Sequence, residues 1–169
     1  VGKAQMSSDF FAETRLTMQS EDKFQKLFEA NTEYSYMVLN MTNGDFQITA
    51  DASKFTTGDA KLDSALISKG PQPIIFKGNI SENLFLFNQQ VNDEKLYSMP
   101  GQLTINNYVI NCVAQFDPVN YADRSDVRNY RIDFHLALEP GKLIIPGLEG
   151  KINKQLIIDV KGGKLNIKQ

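Results

Sequence analysis

The chain holds one histidine and one cysteine, so a Ser-His-Asp or Cys-His centre would have to be built on His135 alone. His135 falls on the polar side of an alternating stretch, with Asp133 two residues before it and Glu139 four after, so all three project from one side of a strand. An enzyme there would use His135 as general acid or base with the carboxylates orienting it. A solvated outer face is the simpler expectation. Cys112 sits in an apolar stretch, where a free cysteine behaves as a small hydrophobe. Asp59 and Asp63 lie four apart on the best helical segment and face one way. Paired carboxylates can share a proton or hold a cation, but glycoside hydrolysis needs two groups on opposite walls of a cleft, and helix capping explains this pair without chemistry. The run Asp123-Arg124-Ser125-Asp126-Val127-Arg128 lacks the Gly and terminal Glu of an EF-hand loop and is expected to be an exposed charged loop. A structural zinc site needs about four Cys or His ligands. No catalytic residue, metal site or cofactor is expected.

Composition narrows the class further. The 169 residues carry 18 Lys+Arg against 20 Asp+Glu, a formal charge of −2, and are 41% hydrophobic. That length suffices for one domain with a core that needs neither metal nor disulfide. With no basic run, the electrostatic footprint of a nucleic-acid binder is missing. No stretch approaches the roughly 20 apolar residues of a spanning helix. The single cysteine leaves the redox compartment open. Residues 1–13 are expected to be a tail, their small polar start suiting the stub beside a signal cleavage site or an artificial leader, with one domain over residues 14–169.

The elements that would position these side chains announce themselves by two-residue alternation. Phe28, Ala30, Thr32, Tyr34, Tyr36 and Val38 fall on one side of a strand, Asn43-Gly44 supplies the positive φ of a hairpin turn, and Phe46, Ile48, Ala50 and Ala52 resume the pattern. A short helix follows, capped by Asp59 and ended by Gly70-Pro71. Strands are then expected at residues 74–80, at Leu84-Phe85-Leu86-Phe87, on either side of an Asn106-Asn107 turn, and at residues 130–139, where Ile132, Phe134, Leu136 and Leu138 alternate with polar residues. Residues 109–116 are apolar on both sides and leave their register open, and residues 118–129 are expected to be a loop. A Gly162-Gly163 turn predicts a C-terminal hairpin. About eight to ten strands and one short helix must close a barrel or stack a sandwich, so the fold class is all-β. Tyr34, Tyr36, Phe46, Phe76, Leu103, Ile105 and Phe134 are predicted inward, as core if the interior is packed and as ligand lining if it is open.

Thr57-Gly58-Asp59 with Leu62-Asp63, then Pro73-Ile74-Ile75-Phe76-Lys77-Gly78, then Gly101-Gln102-Leu103-Thr104-Ile105-Asn106-Asn107 resemble, in order and spacing, the signature of the YceI-like family in its Bacteroidetes-type variants. The resemblance covers residues 14–167. It implies an antiparallel lipocalin-like barrel of about eight strands, exported to the periplasm or beyond, whose lumen holds a polyisoprenoid or quinone-like molecule. Where the family carries Arg-Asp-x-His-Leu or Glu-His-Phe-Asn, this chain has Asp59-Ala60-Lys61-Leu62-Asp63-Ser64-Ala65-Leu66, so no head-group contact through Arg or His carries over.

Three functions therefore stand side by side: an exported, non-enzymatic lipid-binding barrel with the seven inward residues as lining; a filled barrel or sandwich acting as a cell-envelope interaction or structural module; and an enzyme working at the barrel mouth through His135. The partners expected are an apolar or amphipathic lipid and, for assembly, a second copy in a homodimer.

Overall fold

A computed structural model of the chain describes residues 9–22, 25–88, 96–122 and 128–167. Its strands are β1 (Asp9–Asp22), β2 (Gln25–Asn40), β3 (Asp45–Asp51), β4 (Pro73–Asn79), β5 (Tyr97–Ile105), β6 (Tyr108–Ala122), β7 (Arg128–Leu138) and β8 (Gln155–Ile167), and α1 (Ala60–Ser68) is the helix. Each strand pairs antiparallel with its chain neighbour, and β1 pairs with β8 to close an eight-stranded barrel. Closure removes the edge that an open sheet would leave for aggregation.

Alternation decides which face is the core. In β7, Ile132, Phe134 and Leu136 are buried, and in β6, whose sequence left the register open, Ala114 and Phe116 point in while Val109 and Val113 point out. The predicted β2–β3 hairpin forms with Leu39 opposite Phe46. Its connection is held by Asn40, whose side-chain oxygen accepts from the Thr42 and Asn43 amides, and by Gly44 at φ +82°. The Asn106-Asn107 turn also forms, with Asn106 at φ +54°.

Four sequence expectations are overturned. Residues from Asp9 onward are strand, not tail. Leu84-Phe85-Leu86-Phe87 lies in a 3₁₀ segment, Ser81–Asn88, because a short apolar run has no period that separates strand from helix. Tyr108–Ala122 and Arg128–Leu138 occupy most of the expected 118–129 loop, and residues 123–127 lie outside the described residues. Gly162-Gly163 does not turn the chain: β8 runs straight through, with one extra residue accommodated between the pairs Phe134–Val160 and Ile132–Gly163. Glycine serves a bulge as readily as a turn.

One end of the barrel is capped. The connection after β3 carries a 3₁₀ turn (Ala52–Lys54), buried Phe55 and α1, and the connection after β7 brings in Leu143, Ile145 and Leu148, all buried. Asp59 caps α1 by accepting from the Lys61 and Leu62 amides, and Leu66 buries against Gly147, where a Cβ would stand 3.2 Å from Leu66 Cδ2. Buried Gln72 ties the pieces together: its amide nitrogen donates to the Pro146 carbonyl at 2.9 Å and its carbonyl oxygen accepts from Asn106 at 3.3 Å.

Asp51 anchors the same cap, accepting from the Ser53 amide and hydroxyl and from the Gln72 amide. Burial pushes its carboxyl up, but the hydrogen bonds and the Lys54 charge together outweigh burial and hold it below the ordinary carboxylate value. A depressed folded pKa contributes stability above the unfolded value of about 3.9 and loses it as pH falls through the folded value. Melting temperatures between pH 7 and 2 should therefore fall less steeply on the acid side for Asp51→Asn than for the native chain. Equal acid slopes would show that Asp51 takes no part in the pH dependence.

Candidate functional site

The inner face is built around three aromatic side chains from three strands. Phe46 of β3, Phe76 of β4 and Phe134 of β7 meet with ring centroids 6.3, 5.9 and 5.0 Å apart for the pairs 46–76, 46–134 and 76–134. These separations are those of stacked and edge-to-face aromatic pairs. Leu103 lies opposite Phe76, Ile105 opposite Ile74, and Phe116 opposite Phe134. Gly78 and Gly101 face each other across β4 and β5 and leave room for this packing: a Cβ at Gly101 would stand 2.6 Å from Phe76 Cζ, and one at Gly78 would stand 2.8 Å from Met99 Cγ.

Five of the seven predicted inward residues are therefore inward, and all are core. Phe46, Phe76, Leu103, Ile105 and Phe134 are at most 2% exposed. A side chain lining a void wide enough for a ligand tail would present surface to it, and these do not. The interior polar groups are hydrogen-bonded as well: the Thr14 and Ser35 hydroxyls lie 2.7 Å apart, Ser35 also donates to the Thr14 carbonyl, and Thr32 accepts from the Tyr34 amide.

Tyr34 and Tyr36 are the correction. Opposite β1, Thr14 pairs with Ser35 and Leu16 with Thr32, so Glu33 and Tyr34 together face the single residue Arg15. This β-bulge shifts the phase of β2 by one residue. Phe28, Ala30 and Thr32 point in before it, and Ser35, Met37 and Leu39 after it. Tyr34 is 62% and Tyr36 39% exposed on the outside. Tyr36 stacks on Phe11 of β1 at 5.7 Å.

Among the described residues, two depressions lie on that outer face. One, of about 500 Å³, lies at the end opposite α1 and is lined by Asp9, Val38, Asn40, Asp45, Gln47 and Lys77, with Phe46 and Gly78. The other, of about 180 Å³, lies beside the bulge among Arg15, Asn31, Glu33, Tyr34, Lys54 and Thr56. Neither was visible in the sequence, since the strands that form them are brought together by pairing alone.

The residues that suggested catalysis are placed elsewhere. His135 is on the outer face, and its Nδ1 lies 2.5 Å from Asp159 Oδ1 of β8, a cross-strand partner absent from the local sequence. Neither depression includes it. Cys112 is half-buried opposite Gly101, and burial pushes its thiol up, away from the reactive thiolate. Asp63 accepts from the Thr57 amide and hydroxyl, both at 2.7 Å, so it and Asp59 are engaged in starting α1. Asp123, Arg124 and Asp126 lie outside the described residues. Among the described residues, no group of three His, Cys, Asp or Glu side chains is placed to hold a metal ion, and no helix is long and apolar enough to cross a membrane.

The closed eight-stranded barrel is compatible with a lipocalin-like binding fold. No family model and no curated protein matches the chain.

Proposed function

We propose that this chain is an exported, non-enzymatic barrel of the YceI-like kind that works as an interaction module with a packed lumen and meets its partners on its outer surface and rim. The observation that carries this is the burial of Phe46, Phe76, Leu103, Ile105 and Phe134 in one hydrophobic cluster, with the three rings in contact. Aromatic and aliphatic groups in mutual contact are core, and a tail entering the barrel would have to displace them. The order of the Thr57-Gly58-Asp59, Pro73-Ile74-Ile75-Phe76 and Gly101-Gln102-Leu103-Thr104-Ile105 words supports the family and, with it, export.

A lipid held in the lumen is favoured by a separate observation. Met18, Met37 and Met99 are all fully buried in the wall, and methionine is the side chain that repacks most readily around a guest. At the end opposite α1, Phe10, Leu84 and Tyr97 are only partly buried, which gives a tail an apolar approach. Burial at roughly 25 cal/mol per Å² of apolar surface would hold it. One experiment separates the two. Native mass spectrometry of gently purified protein, followed by titration with a fluorescent isoprenoid and a fatty-acid probe, should give the mass of the polypeptide and no saturable uptake. A stoichiometric copurifying lipid, or saturable uptake of either probe, would overturn the packed-lumen function in favour of the carrier.

A further inference from the structure

We propose that the outer face of β2 is a binding site for a neutral oligosaccharide, a ligand class that deepens the interaction-module reading and rests on it. The tyrosines that the bulge turns outward form an exposed aromatic platform, with Tyr36 backed by Phe11 and Tyr34 beside it. A depression lies at each end of this platform, one bordered by Tyr34 and the other by Val38, the next outward residue after Tyr36. From Tyr34 to Asn40 the strand covers about 20 Å at roughly 3.3 Å per residue. That is the length of a short oligosaccharide, longer than a single sugar.

The chemistry of the surface selects the ligand. A pyranose has an apolar face of C–H groups, which suits the negative face of an aromatic ring, and an edge of hydroxyls that both donate and accept. The two depressions offer both functions, from carboxylates, side-chain amides, a threonine hydroxyl and ammonium groups. Their charges balance, with Asp9, Asp45 and Glu33 against Lys77, Arg15 and Lys54. A polyanion or a polycation finds no field of one sign along the face, since the first depression carries one excess negative charge and the second one excess positive, whereas a neutral polyhydroxyl compound needs none. An extended peptide has no unpaired backbone to add to at Tyr36–Leu39, because β1 and β3 pair with this stretch from both sides. A lipid tail would have to cover carboxylates and amides, which costs their hydration.

The test uses the six tyrosines and the lack of tryptophan, which make tyrosine emission a direct reporter. The whole chain is titrated with neutral gluco-, xylo- and manno-oligosaccharides, with calorimetry as a second readout. Saturable binding is expected for at least one series, weakened roughly three- to tenfold by Tyr34→Ala or Tyr36→Ala, as loss of one aromatic stack predicts. Tyr36→Phe, which keeps the ring face, should bind nearly as the native chain does, and His135→Ala, away from the platform, should leave affinity unchanged. Both tyrosines are exposed, so folding is checked by an unchanged melting temperature. Absence of saturable binding across all three series overturns the site, as does binding that ignores both alanine variants. A peptide or a phospholipid vesicle binding through Tyr34 and Tyr36 while the sugars do not also overturns it. The failure of this site is distinct from failure of the packed-lumen function, which only lipid in the mass spectrum or probe uptake would produce.

Discussion

Phe134→Ala should destabilise the barrel by about 3–5 kcal/mol, the largest single-residue effect expected in this molecule. Phe134 is 1% exposed and touches the rings of Phe46 and Phe76, with Phe116 and Val160 opposite it on the two neighbouring strands. Removing the ring forfeits its transfer out of water and leaves a hole that the surrounding closed sheet cannot collapse to fill, because every flanking strand is paired on both sides. Chemical denaturation measures the loss as a lower midpoint at an unchanged slope. Phe134→Leu should lose clearly less, since most of the volume is kept. The hole is lined by apolar groups, and such cavities stay dry and accept small apolar guests. Benzene or xenon should therefore stabilise Phe134→Ala and leave the native chain unaffected. A native chain stabilised equally by the same guests would mean that its interior already has room, contrary to a packed lumen.

Gly44→Ala should cost about 2–4 kcal/mol, and two separate physical terms produce it. The residue sits at φ +82°, where an L side chain is strained, and a Cβ there would press on the Ser81 backbone nitrogen and stand 2.6 Å from Ser81 Cα. The neighbour cannot yield easily, because the Gly44 carbonyl accepts from the Ile80 amide and Asn79 holds the Ser81 amide. Gly70 supplies the comparison. At φ +74° it carries a similar backbone penalty with nothing within 4 Å of the added carbon, so Gly70→Ala should cost only about 1 kcal/mol. Equal costs for the two variants would remove the contact with Ser81 as a contributor.

The elements legible in the sequence are those whose signal is local. The β2–β3 turn announces itself through Asn43-Gly44, α1 through its Asp59 cap and Gly70-Pro71 stop, and β7 through four apolar residues at even spacing. What escaped was set by distant partners. β1 hides because part of its inward face is Thr14 and Ser20, small polar residues satisfied inside by Ser35 and by the Gln155 carbonyl, which in sequence resemble a surface. Ser35 misleads in the same way: a buried serine next to two tyrosines invites the opposite assignment. The His135–Asp159 pair joins residues 24 apart that no spacing rule connects. For the candidate site, the interior aromatics were legible as a set, but whether they form core or lining depends on how far they interpenetrate, which alternation does not encode.

The bulge at Glu33 and Tyr34 makes β2 a strand with two phases joined at one point, and its count of residues is a topological instruction to the barrel. Removing a single residue there would set Thr32, one outward residue and Ser35 one-to-one against Leu16, Arg15 and Thr14, a regular alternation in which both halves keep their inward and outward sides. Flattening the junction with every residue kept is different, because one half must slip by a residue: Tyr34 and Tyr36 would face a lumen that already holds Phe46, Phe76 and Phe134, while Met37 and Leu39 would be turned to water. Substitutions around the junction are tolerable by comparison, since they change a side chain and keep the phase. What the fold forbids in this stretch is a regular pairing of all its residues, so the doubling opposite Arg15 is under tighter physical constraint than the identity of the residues that form it.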